Sequence, residues 1–152
     1  MRNESVLRVA TRVGWVSAAA TAGALLGFGI RVGAPAWLFS AAGDRLRGVP
    51  AFVAPDRVFR VSAALGALHH VVLLLAWSLA FTLVARRLRG GRLALAAFAT
   101  SVFAVVADAA LPPVLRHAAG AMTLGQRAVY GIVLAVALAV GMRLAQREPA
   151  RV

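Results

Sequence analysis

The chain contains no cysteine and no lysine. Without cysteine there is no disulfide, no thiolate metal site and no thiol nucleophile, and the redox compartment is left open. All 17 basic residues are therefore arginine, for which GC-rich coding is the simplest account. Acidic residues are almost as scarce: Glu4, Asp44, Asp56, Asp108 and Glu148 are all there are. No paired carboxylates, no GxSxG or HExxH and no glycine-rich phosphate loop occurs, so no enzymatic activity is expected.

What fills the chain instead is hydrocarbon. Hydrophobic residues make up 61% of it and charged ones 14%, with a mean hydropathy of +0.81. Soluble domains run near 45–50% apolar and about 25% charged, so this composition belongs in a membrane. A net charge of +12 raises the question of nucleic acid. The arginines, however, stand at the ends of apolar runs and form no single patch, which suits anchoring and topology and not nucleic acid.

Residues 61–85 form an unbroken charge-free stretch fenced by Arg60 and by Arg86 and Arg87. A hydrocarbon core of about 30 Å needs about 20 apolar residues in a helix, and this run is long enough to span it with some tilt. Three further runs qualify, and the spacing predicts helices over about 13–30, 61–88, 93–111 and 124–146. The expectation is one all-α domain over 1–152: an antiparallel, up-and-down bundle of four transmembrane helices. The first run follows a basic lead, and Ala34-Pro35-Ala36 loosely resembles a signal-peptidase site. Its length and the proline favour a retained span.

The 31–60 connection is broken by Pro35, Gly43, Gly48, Pro50 and Pro55, so no helix runs through it. A short helix over 36–46 is expected to lie in the interface, dipping Trp37, Leu38 and Phe39. Pro55 and Asp56 read as the start of the second span. Pro112 and Pro113 end the third span and deprive the carbonyls of Asp108 and Ala109 of their usual donors. Thr123 and Gln126 fit a capping box opening the fourth. Gly23 and Gly27, with Ala19, and Gly131 and Ala135, with Ala139, form rows of small residues at every fourth position. Such rows let helices approach closely, either within the bundle or between copies in a homo-oligomer or larger membrane complex.

Ionisable residues at membrane depth default to functional hypotheses. Here they are His69, His70 and Asp108, with His117 at the rim. At about 1.5 Å per residue, His69 lies about 13 Å below Arg60 and Asp108 about 12 Å below Arg116, at matching depth. Neighbouring helical residues point about 100° apart, so only one histidine of the pair faces a common site. His70 is favoured, because Gly66 makes room beside it, and Asp108 is its expected partner. Three readings follow: polar glue between helices, worth about 0.6 kcal/mol on average; a pocket for a proton, cation or small polar ligand; or a redox subunit holding haem, quinone or a metal through His70 or His117. No cofactor is required by the first two. The first two describe a non-enzymatic accessory, binding or transport-type protein of a bacterial inner membrane, with lipid as its surroundings.

Four spans place ten arginines on the side of the termini and the 86–92 turn, and seven on the other. The short, strongly basic turn decides orientation, with both termini cytoplasmic. A single cysteine at Ser5 or within the 86–92 turn should therefore stay shielded from a membrane-impermeant thiol reagent in intact cells. A cysteine in the 31–60 connection should react, and the opposite pattern overturns the orientation.

Overall fold

A computed structural model describes residues 6–48, 56–112, 114–116 and 121–147 of the chain. His117, Pro50, Pro55 and Pro113 lie outside the described residues. Among those described, all regular structure is helical: α1 Val6–Ile30, α2 Trp37–Leu46, α3 Asp56–Ala85, α4 Gly90–Ala110 and α5 Leu124–Arg147. All but α2 are long and apolar enough to cross a membrane, so the predicted four-span helical bundle is the observed fold. Its outer surface carries Trp15, Leu68, Val72, Leu83, Leu95, Phe103, Ile132 and Val136 exposed, the pattern expected where lipid is the solvent.

Local signals explain the helix ends. The Thr123 amide donates to Gln126 Oε1 at 2.9 Å and the Gln126 amide donates to Thr123 Oγ1 at 3.3 Å, the reciprocal pair of a capping box. At the far end of α4, the Leu111 amide is shared between the carbonyls of Ala107 (3.1 Å) and Asp108 (3.3 Å). The Asp108 carbonyl thus regains a donor after Pro112 removes its usual one, correcting the expectation of a freed acceptor there. Arg116 Nε then donates to the Leu111 carbonyl at 2.8 Å and closes the helix end. Helix α1 starts seven residues earlier than predicted, carrying Arg8 and Arg12 on its first turns. Arginine is a good helix former whose long side chain carries its charge away from the hydrocarbon, so the helix has no reason to stop at the last charge.

Helix α1 is the centre of the bundle. It packs against α3 on one side and α5 on the other, while α4 packs on α5. Antiparallel pairing of α1 and α3 is fixed by two contacts, Thr21 with His70 and Gly14 with Leu75. The 86–89 turn sends α4 back antiparallel, but α3 and α4 touch sparsely and splay apart. Gln146, on the last turn of α5, spans both ends of that turn, donating to the carbonyls of Arg86 and Leu88 at 3.3 Å each.

The short helix differs from its expected role. Helix α2 does not lie as an amphipathic anchor on the surface: Leu38, Phe39 and Ala42 are buried, and the helix runs along α3 in the bundle. Two glycines permit this. A Cβ on Gly43 would run into the Ser62 carbonyl, and a Cβ on Gly66 would run into the Phe39 carbonyl, so backbone lies directly on backbone. Gly14 against Leu75 and Gly141 against Val13 Cα (3.1 Å from an added Cβ) play the same part on either side of α1.

Gly23 and Gly27 do not. Among the described residues nothing lies within 4 Å of a Cβ added to either, so no described helix packs closely on them. A four-residue spacing defines a face of small residues but not what that face meets. Gly131 does face α4, with Ser101 Oγ at 3.5 Å from an added Cβ, and Ala135 is half-buried one turn on. We expect Gly66→Ala or Gly43→Ala to destabilise the bundle by about 1–3 kcal/mol, as overpacking does. Gly23→Ala should be neutral or slightly stabilising, and equal loss of unfolding free energy in mixed micelles for all three would contradict the packing described.

Candidate functional site

About 10–15 Å below the loop end, by helical rise, the polar residues of three helices meet. His70 of α3 is 1% exposed and is the inward ring of the pair. Its Nε2 lies 3.0 Å from Thr21 Oγ1 and 3.3 Å from the Ala18 carbonyl, both on α1. A carbonyl only accepts, so Nε2 carries the proton. Thr21 Oγ1 donates to the Ser17 carbonyl at 2.6 Å, which leaves its lone pairs to accept from His70 Nε2. The imidazole is also held edge-on to Phe39 (centroids 5.6 Å apart, 80° between planes) and to Tyr130 (6.5 Å, 66°).

The expected His70–Asp108 partnership is thus drawn differently. His70 Nε2 turns to α1, its neighbour His69 is half-buried, and Asp108 lines a crevice with Tyr130. Gly66 does flank His70, but the room it provides is taken up by the backbone of α2.

Where α3 and α4 splay, a crevice of about 310 Å³ opens between α3, α4 and α5. Its walls are Leu73, Trp77, Ala104, Val105, Leu111 and Leu134, and its polar residues are Asp108 and Tyr130. Trp77 is steadied by Phe103, edge to face at 5.6 Å. On the opposite side of His70, a smaller groove of about 180 Å³ runs between α1 and α3, past Trp15, Ala19, Ala22, Ala67 and Val71.

Among the described residues no group of three or more His, Asp or Glu side chains is placed to hold a metal ion. For a haem iron, His70 Nε2 is already committed to α1. His117 lies outside the described residues. Comparison with known protein families, with characterised proteins and with solved structures finds no match to this chain. Its own residues therefore carry the functional reading.

Besides the ionisable groups, the bundle buries Thr21, Tyr130 and the hydroxyls of Ser17, Ser78 and Thr82. A signal existed: Ser17 and Thr21 lie four apart in the first span, at the depth of the histidines. The Thr21–His70 bond makes a direct prediction. In a double-mutant cycle, Thr21→Val and His70→Ala should couple by about 0.5–2 kcal/mol in reversible unfolding, in the range seen for intramembrane hydrogen bonds. Additive losses would remove this bond from the account of stability.

Proposed function

We propose that the protein is a non-enzymatic, transport-type binding protein of a bacterial inner membrane whose α3–α4–α5 crevice takes a lipophilic organic cation of the ammonium type. The observation that carries this reading is one carboxylate, Asp108, in the wall of an otherwise apolar crevice. Apolar walls favour a hydrocarbon body over water. A carboxylate in an apolar wall attracts an opposite charge far more strongly than it would in water. An amphipathic cation supplies both in one molecule, whereas an anion meets repulsion and a small hydrated ion meets hydrocarbon. The volume, about 310 Å³, is at the lower end of the roughly 300–1,000 Å³ of ligand pockets and suits a small molecule. With both termini cytoplasmic, the basic turn at 86–89 faces inward and the Asp108 end of the crevice lies in the outer half of the membrane.

Octylammonium and octanol share a tail and differ in charge, which isolates the role of Asp108. In lipid nanodiscs, with binding to empty discs subtracted, octylammonium should bind saturably and at least tenfold more tightly than octanol. Asp108→Asn should erase that difference while leaving the melting curve in place. Equal binding of the two probes, or no saturable binding of either, overturns the reading.

A further inference from the structure

At the end of the bundle that holds the 86–89 turn, positive charge gathers without described negative charge beside it. Helix α3 runs into Arg86 and Arg87, α4 follows Arg89 and carries Arg92 in its first turn, and α5 closes with Arg143 and Arg147. The described acids, Asp44, Asp56 and Asp108, all belong to the opposite end of their helices, while Glu4 and Glu148 lie outside the described residues.

Backbone acceptors at this end are already engaged. The carbonyls of Arg86 and Leu88, which lack helical donors where α3 stops, each accept from Gln146 Nε2 at 3.3 Å. Arg89 Nη1 donates to the same two carbonyls at 3.4 Å and 2.9 Å, so this guanidinium is used within the fold. The side chains of Arg86, Arg87, Arg92, Arg143 and Arg147 are exposed instead. Each guanidinium offers five N–H donors and never loses its charge, and like charges so gathered favour any anion that comes to them.

The faces they occupy show what kind of anion fits. On α5, Ile132, Val136 and Val140 form an exposed stripe at every fourth position, and Arg143 and Arg147 continue it. On α4, Val106, Val102 and Leu95 are exposed on the face that ends in Arg92. On α3, Leu68, Val72 and Leu83 lead in the same way to Arg86, whose amide still bonds the Thr82 carbonyl at 3.1 Å and so continues the helix. Three helices thus present one object to the bilayer, a hydrocarbon stripe with a guanidinium at its end. A phospholipid matches it, acyl chain on the stripe and phosphate at the arginine. Free phosphate would use the arginines and leave the stripes idle. A zwitterionic headgroup brings a cation of its own toward the arginines, whereas an acidic one does not, and each arginine near the surface favours anionic lipid by about fivefold.

We propose that this end of the bundle is a binding surface for acidic phospholipids, which set their phosphates against Arg86, Arg92, Arg143 and Arg147 and lay their acyl chains along α3, α4 and α5. None of these arginines lines the crevice, so the surface stands apart from the crevice and its occupant.

The test is electron spin resonance of the full chain in phosphatidylcholine bilayers containing a trace of lipid spin-labelled near the end of its acyl chain. Phosphatidylglycerol should associate with the protein at least about threefold more strongly than phosphatidylcholine carrying the same label. Replacing Arg86, Arg92, Arg143 and Arg147 together by glutamine should bring that ratio close to one, and replacing them by lysine, which keeps the charge, should preserve most of it. Arg143→Gln with Arg147→Gln, confined to the exposed face of α5, should lower the ratio in part and leave the melting curve in place. Arg31→Gln, exposed at the opposite end, should leave the ratio unchanged. Inorganic phosphate added at constant ionic strength should not displace labelled phosphatidylglycerol; displacement would make this a site for phosphate alone and sink the lipid assignment. A ratio of one for the unmodified chain, or a ratio that survives both sets of glutamine replacements, would overturn the proposal.

Discussion

A polar atom at membrane depth has no bulk water to turn to, so its partner must come from the protein. The imidazole of His70 meets this demand by turning its Nε2 to α1, onto Thr21 and the Ala18 carbonyl. Much of the bundle's arrangement is consistent with that one commitment. It holds α3 against α1 at one register, with Tyr130 of α5 and Phe39 of α2 set edge-on to the same ring. Four helices are thereby tied at one level by groups that would each be unfavourable alone.

Around that level, association cannot draw on the hydrophobic effect, since lipid tails are as apolar as leucine side chains. Close fit takes its place. Gly43 and Gly66 let α2 and α3 meet backbone to backbone, and Gly14 and Gly141 do the same on either side of α1. Helix α4 has no such glycine contact with α3. It is held instead by the Ser101 hydroxyl, which donates to the Gly131 carbonyl at 2.6 Å, and by the Gln146 brace on the turn before it. The crevice is the space left where close packing stops.

Features that depend on a few neighbouring residues were readable in the chain itself. The four spans, the capping box at Thr123 and Gln126, and the break at Pro112 belong to this class. Features that depend on which way a helix face turns were not. The rows containing Gly23 and Gly131 look alike in sequence, yet one faces open space and the other faces α4. The buried histidine of the pair is His70, and the space at Gly66 serves α2. Asp108 lines the crevice between α3, α4 and α5, a consequence of the splay that a short turn does not announce. Thr21 escaped notice because a hydroxyl looks innocuous until a histidine from another helix arrives beside it.

The central place of α1 also has a consequence for how the bundle is assembled. A ribosome makes α1 before α3 and α5, the two helices that flank it, and α5 follows the other three spans. Until α3 arrives Thr21 has only its own helix to bond with, and until α5 arrives Val13 lacks the Gly141 surface it packs on. The nascent chain therefore waits in the membrane with its most polar span incompletely covered. Closure comes when α5 arrives and Gln146 reaches the 86–89 turn, so α5 sets the moment at which α1 is sealed.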